Sequence, residues 1–282
     1  MDMNTGHYVR HVLLGATAAA FFGAPYFPGL DRNGPVLDAT MAIVRAKPHP
    51  ADTARSRFPS QAAVTEVAAA LNAFQPLVVR LSHPRALEEA FSGYFAYKAA
   101  HPDDVRKPFL YFVDYGLPST SPRGYVFDMA SRTIVEGPFT VAHGRGSSSG
   151  KDGVPTTFSN RPGSAATSLG LYLAQETYGF NGKTAGRHYS SIGLRLMGLS
   201  GDYNDNARAR RVVAHGAPYV TASKAGRSEG CPAMEPSRAS RLLPKLANGG
   251  LVFLFAPRED WMASDPWLAR ASGHANTSVG AG

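Results

Sequence analysis

The chain has one cysteine, Cys231, and a histidine, His215, that closes the apolar run Val212-Val213-Ala214. A thiol becomes a strong nucleophile when a nearby base or positive field favours its thiolate. A histidine at the end of a strand, aimed at a Gly-Cys turn, could supply that base. Gly230 permits a tight turn before the cysteine, and the N–H groups of Gly230 and Cys231 could point at a developing oxyanion. A lone cysteine is most often a small buried hydrophobe. Here, however, the setting is polar and glycine-rich: Gly226, Arg227, Ser228, Glu229 and Gly230 precede it. Cations crowd the same stretch, at Arg208, Arg210, Arg211, Lys224 and Arg227. Taken singly each reads as part of a solvated basic face. Together they raise the potential around Cys231 and could attract carboxylates, with Arg227 the leading candidate.

Other chemistries fit less well. His143-Gly144-Arg145-Gly146-Ser147-Ser148-Ser149-Gly150-Lys151 has the look of a phosphate loop, but the glycine spacing is one short and Asp152 follows the lysine. No Ser or Thr stands where that motif requires one, so nucleotide binding is set aside. The loop reads instead as a flexible border of a cleft, with His143 either touching substrate or hydrogen-bonded structurally. The nine histidines show no H-E-x-x-H motif, and neither a metal nor another cofactor is expected. Asn204-Asp205-Asn206 is turn chemistry first. Tyr219 reads as either a cleft or a core aromatic.

A net charge of +8 and a pI near 9.7 invite a nucleic-acid reading. No run of five Lys or Arg and no basic–aromatic stripe supports it. A basic protein is also retained by a carboxylate-rich cell wall. Residues 1–24 resemble an export signal or N-terminal anchor: Arg10 and His11, then the apolar block 12–22, with small residues at Ala18 and Ala20. That block is short for a membrane span, and no other segment reads as one. The chain is therefore expected to be exported to the periplasm or cell envelope. There a single cysteine cannot form an internal disulfide.

Several elements must hold this chemistry in place. Apolar spacing predicts helices over 61–74 and 85–99, with a short strand at 77–81 between them. Residues 25–107 thus form a helical and irregular N-terminal region that braces the catalytic part. Strand texture starts at residue 108, with candidates at 109–115, 124–129, 133–142, 168–176, 192–199 and 211–215. One helix is expected over 236–246, stopped by Asn248-Gly249-Gly250, and then a buried strand at 251–255. The catalytic part is taken as 108–257, and 258–282 as a flexible tail.

Several motifs, in order, resemble one family. They are Phe-Val-Asp-Tyr-Gly-Leu-Pro-Ser at 112–119, Ala-His-Gly-Arg-Gly-Ser at 142–147, Phe-Ser-Asn at 158–160 and Ser-Leu-Gly-Leu-Tyr at 168–172. Gly-Asp-Tyr-Asn-Asp-Asn-Ala at 201–207, the His215 strand and Gly-Arg-Ser-Glu-Gly-Cys-Pro at 226–232 complete the series. The pattern, spanning roughly 109–255, is similar to the YkuD-like L,D-transpeptidases of bacterial cell walls, and closest to the murein L,D-transpeptidase catalytic domain branch. The resemblance implies an α+β, β-rich catalytic domain carrying an N-terminal helical region. It implies Cys231 as nucleophile, His215 as base, and an oxyanion site at the N–H groups of Gly230 and Cys231. It also implies substrate contacts at Arg227, Ser228, Tyr219, His143, Asn160 and Gly216. The reaction would run through a thioester on a peptidoglycan stem peptide. An amine acceptor gives a cross-link, and water gives an L,D-carboxypeptidase; a non-catalytic wall-binding module is the remaining alternative. A backbone carbonyl near Gly216 is the expected orienter of His215, because no carboxylate stands beside it. Two positions depart from the common family motif. Glu229 stands where a histidine precedes the Gly-Cys pair, and Ala233 where Asn or Arg often stands after it.

Overall fold

The computed structural model describes residues 61–150 and 152–268. The expected export segment, the first residues of the N-terminal region, Lys151 and residues 269–282 lie outside these. Helices α1 (Gln61–Phe74) and α2 (Ala86–Ala100) come first. Strands β1 (Phe109–Asp114), β2 (Gly124–Asp128), β3 (Thr133–Phe139) and β4 (His143–Gly144) come next. A long hairpin is made by β5 (Gly170–Thr184) and β6 (Arg187–Gly198). Then come β7 (Val213–Gly216), β8 (Val220–Thr221), β9 (Lys224–Ala225), β10 (Arg227–Ser228) and β11 (Ala233–Met234). Helix α3 (Pro236–Leu246), β12 (Leu251–Phe255) and α4 (Glu259–Ser264) close the described chain.

Eight strands form one mixed sheet in the order β11-β7-β6-β5-β12-β1-β2-β3. The β1–β12 and β7–β11 pairs are parallel and the others antiparallel. All of β12 is buried, as is β1 after Phe109, which explains their unbroken apolar sequences: a strand covered on both faces has no polar side. Helix α2 packs on β1, β5 and β12, while α3 packs on β1, β5, β6 and β7. Phe74 of α1, Phe91 of α2 and Phe127 of β2 meet with ring centroids 4.7–5.6 Å apart, so both N-terminal helices share the core of the sheet. The fold is mixed and sheet-rich with N-terminal helices, in keeping with the architecture that the motifs imply.

Three segments differ from expectation. Residues 77–81 are not a strand: a 3-10 turn at Gln75–Leu77 leads into extended chain, where the Val79 N–H donates to the Tyr125 hydroxyl at 2.9 Å instead of joining a ladder. The β5–β6 hairpin reaches well past its expected ends. Ala185 and Gly186 have φ of 47° and 79°, the pair of positive angles that a tight two-residue hairpin needs. Residues 177–191 project beyond the core, so they lack the apolar face that marks a strand in sequence. The expected tail at 258–282 is also structured in its first part. Trp261, Met262 and Leu268 are buried, and the Trp261 indole donates to Asp265 at 2.9 Å.

Asn204 ties the start of β5 to the end of β6. Its amide donates to the carbonyls of Leu169 and Leu171 at 3.1 and 2.9 Å, and its oxygen accepts the Ser200 N–H at 2.8 Å. Gly198 is required beside it, because a Cβ there would lie 1.9 Å from the Asn204 carbonyl oxygen. Asn204→Ala strands buried main-chain groups, and each such loss is worth about 1–3 kcal/mol. We expect a stability loss of roughly 2–3 kcal/mol by urea unfolding, on that same scale; a change under about 0.5 kcal/mol would contradict the clamp.

Candidate active site

Backbone pairing assembles the site. In the parallel pair β7–β11, His215 stands opposite Ala233 and Gly216 opposite Met234. The Pro232 carbonyl accepts the His215 N–H at 3.3 Å, and the Ala233 carbonyl accepts the Ala142 N–H at 2.8 Å. A second parallel pair, β4–β10, sets Arg227 opposite His143 and Ser228 opposite Gly144. The Cys231 turn is therefore held at both ends, by β10 before it and β11 after it. Within the turn the Ser228 hydroxyl donates to the Cys231 carbonyl at 2.7 Å and accepts the Gly230 N–H at 3.2 Å. Gly230 has φ of 121°, and a Cβ there would lie 2.8 Å from the Ala166 carbonyl oxygen.

The imidazole is well fixed. His215 Nδ1 lies 3.0 Å from the Gly216 carbonyl oxygen, so Nδ1 carries the hydrogen and Nε2 presents a lone pair. Phe180, from the projecting hairpin, stacks on the ring with centroids 4.1 Å apart and planes 20° apart. Burial lowers the His215 pKa to about 4, against a smaller opposing effect from the Gly216 hydrogen bond. The imidazole is thus neutral at physiological pH.

The thiol is partly exposed. Its sulfur lies 3.9 Å from the Arg211 carbonyl oxygen, to which the S–H donates, and it receives the Val213 N–H. Among the described residues it makes no hydrogen bond to His215; the two are joined through the Val213–His215 strand. Burial pushes the thiol pKa up, and Glu229 adds to this, while the Val213 N–H and Arg210 oppose it. At rest the pair is thiol and neutral imidazole. A thiolate forms only as the proton moves.

The other expected residues take distinct places. The Gly230 N–H is engaged by Ser228, whereas the Cys231 N–H has no hydrogen bond within the turn. Ser228 is buried and staples the turn. Gly216 is buried and supplies the carbonyl that orients His215. Tyr219 is half-buried, edge-on to Tyr189 at 6.5 Å, and its ring covers Gly226. Asn160 sits elsewhere, donating to the Asp202 carbonyl at 3.0 Å and to Asp205 at 2.6 Å in a depression lined also by Tyr203 and Trp261. Arg227 is half-buried, donating to Ser119 at 3.1 Å and Ser149 at 2.6 Å with no carboxylate partner among the described residues.

His143 is fully buried, and Arg123 donates to its Nδ1 at 2.9 Å. Its Nε2 must then carry the hydrogen, and that donor is unpartnered. Burial, then Arg123 and Arg227, lower its pKa to about 3. Glu229 is exposed and paired with Arg145 at 2.7 Å. Ala233 lies in a small cluster with Ala142, Ala217, Val220 and Ala225, where a longer side chain has no room to extend. Phe180 was invisible to sequence reasoning, because only a strand assignment over 177–191 would place it beside His215. Among the described residues no group of three or more His, Cys, Asp or Glu side chains could hold a metal ion. No helix among them is long and apolar enough to cross a membrane.

A profile of the L,D-transpeptidase catalytic domain, the YkuD_2 family, matches residues 80–255. Among solved structures, an L,D-transpeptidase from Mycobacterium smegmatis is 13% identical with a TM-score of 0.32, covering 53% of this chain and 59% of its own. One from Stackebrandtia nassauensis is 15% identical with a TM-score of 0.33, covering 62% and 68%. A third, from Mycobacterium tuberculosis H37Rv, is 16% identical with a TM-score of 0.30, covering 52% and 57%. The chain thus spans less than two thirds of the length of the first of these. No curated protein matches. The family profile, and not the structural likeness, carries the assignment.

The two depressed imidazoles set an acid limit. Folded His143 and His215 protonate near pH 3 and 4, whereas unfolded ones do so near 6.5. Between those values the unfolded chain binds more protons, so their stabilising share is complete above about pH 6.5 and is lost as pH falls. Urea midpoints should therefore fall less steeply from pH 6.5 to 4 in His143→Gln than in the unmodified protein. Parallel curves would contradict a buried neutral His143.

Proposed function

Because the chain belongs to the L,D-transpeptidase catalytic domain family, we propose that it carries out acyl transfer on peptidoglycan stem peptides, with Cys231 as nucleophile and His215 as base. The observation that carries this reading is the His215 Nδ1 contact with the Gly216 carbonyl, on the strand whose parallel partner begins directly after Cys231-Pro232. It fixes the tautomer in which Nε2 can accept a proton.

Atoms and protons balance at each step. The Cys231 S–H proton passes to His215 Nε2 as sulfur attacks the carbonyl carbon of the L-centre in the donor stem. The oxyanion is met by the Cys231 N–H, the open donor of the turn. The C–N bond to the terminal D-alanine breaks, and the imidazolium proton goes to the leaving amine. This leaves a thioester. An acceptor amine then attacks, gives a proton back through His215, and the C–S bond breaks to restore the thiol. Water in place of that amine gives the carboxypeptidase outcome. Arg227, a cation without a carboxylate partner among the described residues, offers a docking charge for a stem carboxylate. The substrate lies outside the cytoplasm, so the reading includes export to the cell envelope, in agreement with the leader-like segment at 1–24.

Incubation with disaccharide-tetrapeptides and mass analysis of the products tests this. The expected product is a cross-linked dimer lacking one D-alanine, with a thioester adduct on the 231-containing peptide. Cys231→Ala should abolish both, and His215→Ala should slow turnover about 100-fold or more. Undiminished turnover in Cys231→Ala would reject the nucleophile, and release of D-alanine without dimers would make water the acceptor.

A further inference from the structure

The sequence leaves several cations equivalent around the thiol, and the structure separates them. Arg208 reaches out to Gln175 and Glu176, where Arg195 also pairs. Arg145 neutralises Glu229 at the surface. Arg227 is held by the hydroxyls of Ser119 and Ser149. Arg210 alone is wedged behind the Cys231 turn. Its Nη1 donates to the Ser159 carbonyl at 2.8 Å and to the Ser168 hydroxyl at 3.3 Å. Its Nη2 donates to the Ser164 hydroxyl at 3.2 Å and to the Ala166 carbonyl at 2.6 Å. All four acceptors are neutral, and no carboxylate lies within ion-pair distance among the described residues.

The same atoms line the turn. Arg210 Nη2 lies 3.4 Å from where a Cβ would stand on Gly230, and the Ala166 carbonyl oxygen that it grips lies 2.8 Å from that point. A side chain at 230 would push both away, so glycine lets the guanidinium approach the backbone directly before the thiol. The next residue in the chain also serves the sulfur. Arg211 has φ of 58°, a left-handed conformation uncommon outside glycine, and its carbonyl oxygen accepts the S–H. The Val213 N–H meets the sulfur from the same segment.

We propose that Arg210 is a positioning residue of the acyl-transfer centre, locking the 159–168 loop against Gly230 and stabilising negative charge on Cys231 as its proton leaves. This rests on Cys231 being the nucleophile. Glu229, directly before Gly230, has the wrong sign and is paired with Arg145. Arg210 supplies positive charge from behind the turn. An unneutralised guanidinium packed against the backbone just before the thiol favours negative charge on the sulfur, and it offsets part of the desolvation penalty on a thiolate.

The chain has one cysteine, so alkylation by iodoacetamide reads that sulfur alone. The rate is measured against pH on the full chain for the unmodified protein, Arg210→Gln, Arg210→Lys and His215→Ala. Arg210→Gln should raise the midpoint of the profile by about one pH unit. Arg210→Lys, which keeps the charge but loses the fork, should hold the midpoint within about 0.3 unit while amide exchange over 159–168 quickens. A Gln profile superimposed on the unmodified one, or a Lys profile shifted as far as the Gln one, would overturn the proposal. If the Gln variant does not fold, a Lys midpoint raised by a full unit overturns it equally. Failure of the nucleophile reading is seen separately, as undiminished turnover of disaccharide-tetrapeptides in Cys231→Ala.

Discussion

The active arrangement depends on a two-residue parallel pairing. Ala233 and Met234 run beside His215 and Gly216 at the edge of the large sheet. Everything between those short strands is loop, small hairpin and turn, yet both ends are fixed by main-chain hydrogen bonds. The result is that the imidazole and the thiol are placed by backbone register, and their own side chains do not have to find each other. Moving β11 by one residue would turn the chain after Cys231 to the opposite face. The pairing itself is held by the bulk of the fold, since β7 is joined through β6 and β5 to the buried β12–β1 centre.

On that frame the electrostatics are arranged to keep the resting centre uncharged. Burial holds His215 neutral and lifts the thiol, and both effects disfavour an ion pair before substrate arrives. The groups that favour the thiolate are one fixed dipole and one cation: the Val213 N–H and Arg210. Fixed donors of this kind need no reorganisation when charge develops. The opposing carboxylate, Glu229, is turned outward to Arg145 in solvent, where its influence is screened.

Local signals in the sequence were strong where an element meets the core. The spans of α1, α3 and β12 read directly from apolar spacing, proline and the Asn-Gly-Gly stop, because burial is what selects those residues. The β5–β6 extension was not legible, since a hairpin that leaves the core no longer needs an apolar face. The helix at 259–264 was missed because its two buried side chains, Trp261 and Met262, stand in a short polar stretch. At the site, the cysteine and histidine motifs and the carbonyl near Gly216 were readable from residue type and order. The division of labour among the arginines was not. Cations crowded into one stretch look alike until tertiary contacts give Arg208 a carboxylate and Arg210 only carbonyls and hydroxyls.

The stacked contact between Phe180 and His215 ties the position of the β5–β6 hairpin to the proton affinity of the imidazole. The ring that shields the imidazole belongs to a ribbon extending beyond the core, with its tip at Ala185-Gly186. Lifting that ribbon would let water onto the imidazole face and raise its affinity for protons; settling it would dry the face and lower that affinity. The position of the ribbon therefore sets how readily the imidazole of His215 takes up a proton.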